Sequence, residues 1–193
     1  MKLPLVLASS SPYRKQLLER LKYPFTTASP DIDESALPEE KPADLVLRLS
    51  ITKAQALAAS YPNSLIIGSD QVAVFKGEII TKPGSYEKAF SQLSAFSGSV
   101  VEFLTGLCVL NTGTGASRAV VEPYTVYFRE LTDETISHYL VKEQPYDCAG
   151  SFKSEGLGIV LLDRFEGRDP NALIGLPLIA LTTLLLEFDT ELM

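Results

Sequence analysis

The chain has 193 residues, 46% of them hydrophobic, and 24 Asp and Glu against 17 Lys and Arg, for a formal net charge of −7. That length and apolar share support a large core, and residues 1–193 read as a single domain or two tightly joined lobes. The acidic balance excludes generalised affinity for nucleic acid polymers or anionic membranes, which need clustered positive charge. No run approaches the roughly 20 apolar residues of a membrane span. The apolar start before Ser9 is too short for a signal peptide, so a cytoplasmic protein is expected.

In chain order, a short strand at 3–8 ends in three hydroxyl residues, Ser9 to Ser11, and a helix is predicted over 12–22 with Arg14 and Lys15 in its first turn. Pro12 suits the first helical position and Ser11 the N-cap. A helix start presents unpaired N–H groups and the positive end of its dipole. Hydroxyl and guanidinium donors beside it make an anion site; without a ligand the same residues are a capped turn. Asp31, Asp33 and Glu34 follow in a loop, where carboxylates are either solvated or hold a hard divalent cation. Pro38 to Pro42 leads into a helix predicted over 43–60, with Lys53 inside its otherwise apolar run.

A strand at 64–69 carries Asp70 at its end, where an open α/β sheet places its ligand crevice. An acid there can hold a metal or take a proton from water. A second strand at 72–76 turns in a short hairpin around Gly77, and Lys82 stands before Pro83 as a possible partner for a phosphate. A helix at 86–96 precedes strands at 100–110 and 119–129, joined through N-T-G-T-G at 111–115 as an antiparallel hairpin. The sheet is therefore expected to be mixed, with flanking helices, in an α/β fold. A helix at 132–142 carries the only histidine, His138, read as structural. Cys108 and Cys148 lack metal-ligand spacing and read as free thiols. The glycine-rich stretch 149–156 has room for close backbone approach to a ligand, a strand is predicted at 157–162, and residues 163–171 suggest only a helix entry. Gly175 to Pro177 introduces a last helix over 176–188.

Several of these segments, in this order, resemble the Maf-like family of nucleoside triphosphate pyrophosphatases. The resemblance is carried by L-A-S-S-S-P-Y-R-K at 7–15, D-E at 33–34, R-L-S-I-T-K-A at 48–54, S-D-Q at 69–71, T-K-P at 81–83, A-G-S-F-K-S-E-G at 149–156 and G-L-P-L at 175–178. It implies a fold like that of inosine triphosphate pyrophosphatases, with a cleft between two lobes, in a homodimer. It also implies a divalent cation, Mg²⁺ or Mn²⁺, held by Glu34 and Asp70, with Asp70 as general base. By the same match Ser9, Ser11, Arg14, Lys53 and Lys82 hold phosphates of a nucleotide substrate.

Three departures from the commoner family pattern point to one branch. Tyr13 stands where an arginine is usual, Ser69-Asp70-Gln71 replaces A-D-T, and Glu155 replaces a glutamine. Together they resemble the 7-methyl-GTP pyrophosphatase branch, with Tyr13, Gln71 and Glu155 as specificity residues. N7-methylation makes the purine cationic, so a tyrosine face attracts it, and a carboxylate accepts from guanine's N1–H and exocyclic amine. Pyrophosphatase action on dTTP, UTP or another modified nucleotide, and a nucleotide-binding regulator of cell division, are the alternatives that the resemblance leaves open.

Overall fold

The computed structural model describes residues 3–190, so Met1 and Lys2, part of the start read as too short for a signal peptide, lie outside the described residues. Tertiary contacts divide the chain into two compact units. The first comprises the chain up to Gln71, Thr105–Glu122 and the chain from Asp169 on; the second comprises Val72–Leu104 and Pro123–Arg168. Among the described residues the strands form a mixed seven-stranded sheet, in the order β2-β1-β3-β5-β6-β7 with β4 paired on β3.

In the first unit, β1 (Leu5–Ala8) runs parallel to both β2 (Phe25–Ala28) and β3 (Leu65–Phe75), with Leu5 opposite Phe25 and Leu65. Alternate residues of these strands enter different apolar clusters. Leu5, Leu7, Leu65 and Ile67 pack with Leu17 and Leu18 of α1 (Pro12–Glu19) and with Leu181, Leu184 and Leu185 of α6 (Leu178–Leu186). Val6, Ala8 and Ile66 pack with Ala54 and Ile51 of α2 (Pro42–Ala56). Strands covered on both faces read as continuous apolar runs, as L-V-L-A and L-I-I-G do.

Two glycines decide how closely α2 lies on this sheet. A Cβ on Gly68 would stand 2.0 Å from the Ser50 carbonyl oxygen, and one on Gly106 of β5 (Val100–Asn111) 2.1 Å from that of Val46. Both contacts are with backbone, which no rotamer change relieves, so only glycine lets the helix approach this far.

The second unit contains α3 (Tyr86–Phe96), α4 (Asp133–Glu143), β4 (Glu78–Ile80), β7 (Leu162–Gly167) and an aromatic core. Phe96 meets Phe75 edge-on at 5.0 Å between ring centroids, and Phe152 meets Phe103 and Phe128 edge-on at 5.6 and 5.4 Å. The hairpin around Gly77 is present: Phe75 pairs with Glu78, and Lys76 and Gly77 have φ of 52° and 88°, as a two-residue turn with positive φ at both central positions requires. The N-T-G-T-G turn joins β5 to β6 (Ser117–Phe128), with Asn111 N–H donating to Ala116 O at 2.8 Å.

The structure corrects several boundaries. The strands expected at 64–69 and 72–76 are one strand, β3. Asp70 and Gln71 break the apolar pattern, but both are hydrogen-bonded side chains inside a continuous ladder. The strand expected at 157–162 is a 3₁₀ turn, Leu157–Leu161, followed by β7. L-G-I-V-L is too short for periodicity to separate strand from turn, and the chain doubles back so tightly that a Cβ on Gly158 would stand 2.4 Å from Lys153 O. Helix α1 stops at Glu19 rather than residue 22, with Lys22 at a positive φ of 54°, and α2 stops at Ala56 rather than residue 60. β2 and a short helix α5 (Pro170–Ile174) were not expected.

Candidate active site

The turn from β1 into α1 is built as its hydroxyls suggest. Ser11 has extended backbone, and its Oγ accepts from Arg14 N–H at 3.4 Å, while Ser9 Oγ accepts from Ser11 N–H at 3.1 Å. Each hydroxyl accepts from the backbone and keeps its own proton to donate, so both remain donors at the positive end of α1. Lys15 is exposed and lies 3.9 Å from Glu19 one turn on, which makes it a surface cation.

Arg14 turns back across the first unit, where its Nε–H donates to Gly175 O at 2.8 Å. That bond fixes the guanidinium plane, and its remaining four donors are on the two Nη nitrogens. Burial lowers the Arg14 pKa, and the carboxylates of Asp70 and Glu34 oppose that shift, so all three charges share one neighbourhood. Arginine stays protonated throughout.

The centre of that neighbourhood is Lys53. Its ammonium is 2.6 Å from Asp70 Oδ1 and 2.8 Å from Glu34 Oε1. Lys53 and Asp70 are 5% and 8% exposed, so burial of each is sustained by the other; the Glu34 side chain is 58% exposed and closes the group from the solvent side. Lys53 reaches Asp70 because Gly68 lets α2 lie against β3 two residues before the acid.

The neighbouring acids divide by partner. The Ser35 hydroxyl and the Ser35 N–H, the latter 2.9 Å from Asp33 Oδ1, lower the Asp33 pKa in a local turn, whereas Glu34 reaches the lysine. The loop that carries them is tied to α2 by Arg48, which grips Glu40 through Nε at 2.6 Å and Nη2 at 2.8 Å and donates to Ser35 O at 3.0 Å. Arg48 and the Leu37 N–H hold the Glu40 carboxyl down at about 2.

On either side of Asp70, Ser69 and Gln71 face the C-terminal end of α5. Ser69 Oγ lies 2.8 Å from Gly106 O and 3.0 Å from Gly175 O, the carbonyl that also receives Arg14. The Gln71 amide nitrogen donates toward Ala172 O at 2.6 Å, Thr105 Oγ1 at 3.0 Å and Leu173 O at 3.1 Å. Gln71, expected among the specificity residues, thus directs its amide nitrogen to the last turn of a helix. Gly175, at φ 115°, ends that helix in a conformation that suits glycine.

A family model described as Maf-like protein matches residues 4–188. The chain belongs to the Maf-like family. It is 59% identical over 181 residues to a 7-methyl-GTP pyrophosphatase of Nitrosococcus oceani, covering 94% of this chain and 91% of that protein. It is 59% identical over 181 residues to one of Alcanivorax borkumensis, covering 94% and 92%, and 56% identical over 191 residues to one of Pseudoalteromonas translucida, covering 99% and 95%. Among solved structures it is similar to the Ham1 protein of Staphylococcus aureus, with a TM-score of 0.47 at 14% identity over 66% of this chain and 72% of that one. It is also similar to a dITP/XTP pyrophosphatase of Mycobacterium abscessus, with a TM-score of 0.41 at 13% identity over 67% and 76%.

In this Maf-like chain, Ser9, Ser11, Tyr13, Arg14, Glu34, Lys53, Asp70 and Gln71 all fall in the first unit, and Lys82 and Glu155 in the second. Tyr13 is half-buried in the first turn of α1. Lys82 is exposed in the segment between β4 and α3. Glu155 is exposed in a turn whose two ends are held by α4: Tyr139 OH accepts from Lys153 N–H at 3.0 Å, and Glu143 Oε2 accepts from Leu157 N–H at 2.9 Å.

Three contributors were not among the expected site residues. Asp169 is fully buried: Oδ1 accepts from Asn171 N–H at 2.9 Å and Oδ2 from Ile179 N–H at 2.6 Å, so one carboxylate caps both α5 and α6. D-P-N is itself a capping signal, and it was legible as one. Thr105 and the Gly175 carbonyl act through tertiary contacts, for which no local pattern exists.

Proposed function

We propose that this chain hydrolyses the α–β phosphoanhydride of 7-methyl-GTP, releasing 7-methyl-GMP and pyrophosphate. The observation that carries the reading is the convergence of Glu34, Lys53 and Asp70 beside the serine-lined start of α1, with Arg14 electrically coupled to both acids. Substrate identity comes from the relatives named for that activity and from the Tyr13 and Glu155 departures.

Ser9, Ser11 and the α1 N–H groups receive phosphate oxygens, and Arg14 adds a guanidinium already aimed by Gly175. Asp70 Oδ1 faces a cation, Lys53 in the unliganded chain, which leaves Oδ2 to take the proton of the attacking water. Water's oxygen then bonds to the α-phosphorus as the bond to the bridging oxygen breaks, and pyrophosphate leaves with the electron pair. Lys82 compensates charge on the tail, Tyr13 stacks on the cationic base, and Glu155 reads guanine.

Among the described residues no group of three or more His, Cys, Asp and Glu is arranged to hold a metal ion. Glu34 and Asp70, however, already turn one oxygen each toward a single positive charge, and Mg²⁺ uses one or two carboxylates together with substrate phosphates. The donor set therefore fits a divalent ion shared with the nucleotide, and Glu34 and Asp70 would hold it. Such an ion neutralises the phosphate tail and acidifies a water.

Turnover in ¹⁸O-labelled water tests the bond assignment. Label in 7-methyl-GMP is expected, and label confined to pyrophosphate or orthophosphate contradicts attack at the α-phosphorus. The expected homodimer belongs to the same proposal; sedimentation equilibrium should give twice the chain's 21.1 kDa, and a single-chain mass contradicts it.

A further inference from the structure

Lys53 was expected to hold a phosphate, yet its ammonium is committed elsewhere. It is 5% exposed, 2.6 Å from Asp70 Oδ1 and 2.8 Å from Glu34 Oε1. Those are the two carboxylates that would hold the divalent ion, so one position between them serves either an ammonium or a metal. We propose that Lys53 is the counter-ion of this carboxylate pair before nucleotide binds, and that it yields the position only when a phosphate arrives together with the metal. The inference rests on the pyrophosphatase reading above and adds an order of loading to it.

The chemistry of the three groups favours such an exchange. Asp70 is buried, and a buried carboxylate without a counter-charge is costly, so the pair needs a cation at all times. Lysine suits a temporary one, being a compact charge on a flexible four-carbon stem. A metal entering alone must push a buried ammonium off both carboxylates and give it nothing in return. A metal entering with a nucleotide brings a phosphate oxygen for the displaced ammonium. Lys53 thus weakens metal binding without nucleotide and strengthens it with nucleotide, and the coupling acts equally in the other direction. The phosphate-binding role expected of Lys53 becomes the second half of its cycle.

Mn²⁺ binding, followed by electron paramagnetic resonance without turnover, tests the exchange. Wild type, Lys53→Met and Lys53→Gln are titrated with Mn²⁺ alone and with the α,β-methylene analogue of 7-methyl-GTP present. Glutamine removes the charge but keeps hydrogen-bond donors for both carboxylates, which guards against loss of the fold, and thermal unfolding checks each variant. Both variants should bind Mn²⁺ alone about 5- to 150-fold more tightly than wild type, and the gain in Mn²⁺ affinity on adding the analogue should shrink by a similar factor. Mn²⁺ should also raise the unfolding temperature of the variants more than that of wild type. Unchanged or weaker Mn²⁺ binding by a folded variant overturns the inference. Wild-type turnover separates the two readings: pyrophosphate release with unchanged Mn²⁺ affinity in the variants sinks the exchange alone, whereas absence of turnover on any triphosphate sinks the pyrophosphatase reading whatever the Mn²⁺ result.

Discussion

Asp70 is ion-paired with Lys53, and the proposed mechanism adds a second demand on its carboxylate, the proton of the attacking water. Asp70→Asn keeps the shape and removes both the charge and the proton acceptor, so kcat should fall about 10²- to 10⁴-fold with the fold retained. Near-normal turnover in a folded Asp70→Asn protein would remove Asp70 from the mechanism. At the base end, Tyr13→Arg combined with Glu155→Gln should lower kcat/KM for 7-methyl-GTP more than for UTP or dTTP. A lost cation–π contact alone is about 0.5–2 kcal/mol, or about 2- to 30-fold. Equal losses on methylated purine and pyrimidine substrates would leave these residues with a structural role only. Much of this residue-scale picture was legible because the side chains announce themselves: hydroxyls before a proline, an acid after an apolar run, a lysine inside an apolar helix. What stayed hidden was pairing. Nothing in the sequence says that Lys53 would lie on Asp70 and Glu34, or that Glu34 rather than Asp33 would reach it.

At the scale of elements, the proposed mechanism depends on how closely α2 lies against β3 and β5. Gly68→Ala puts a methyl group into the Ser50 carbonyl at 2.0 Å, and the helix must lift. Overpacking of this kind costs about 1–3 kcal/mol, and because the clash is with backbone the upper end is expected. The lift also separates Lys53 from Asp70, so turnover should fall in protein that remains folded. A Gly68→Ala protein with wild-type stability and rate would contradict the close-approach account. The turn bearing Glu155 depends on α4 in the same way. Glu143→Ala leaves Leu157 N–H without its 2.9 Å partner and should raise KM for 7-methyl-GTP about fivefold, near 1 kcal/mol, with kcat little changed; Glu143→Gln retains an acceptor and should rescue it. The longer helices and the β5–β6 hairpin were legible from their periodicity and turn residues, whereas β3, 11 residues long, read as two strands because Asp70 and Gln71 interrupt its apolar run. β2, α5 and the 3₁₀ turn at Leu157–Leu161 were not legible, because four or five residues are too few to tell one period from another and tertiary contacts decide their conformation.

For the molecule as a whole, acid sensitivity should come partly from the loop that carries Glu34. The Glu40 carboxyl, ordinarily near 4.5, is held at about 2 by Arg48 and the Leu37 N–H. A depressed carboxyl pKa contributes stability that is complete above about pH 4.5 and disappears as pH falls through about 2. The difference in unfolding temperature between wild type and Glu40→Gln should therefore shrink across that window; a constant difference would contradict the assigned partner. The mixed α/β class followed from alternating elements and the N-T-G-T-G hairpin, while the division into two units, with β3, β5 and β6 each contributing to both, has no signature in local sequence. The central claim concerns which nucleotide is cleaved and where. It is tested most directly by steady-state kinetics on a panel of 7-methyl-GTP, GTP, UTP and dTTP with Mg²⁺ or Mn²⁺, with pyrophosphate and orthophosphate measured separately. The account predicts the highest kcat/KM on 7-methyl-GTP, with one pyrophosphate per 7-methyl-GMP and no orthophosphate. Orthophosphate as the product, or a preference for UTP or dTTP, would contradict it.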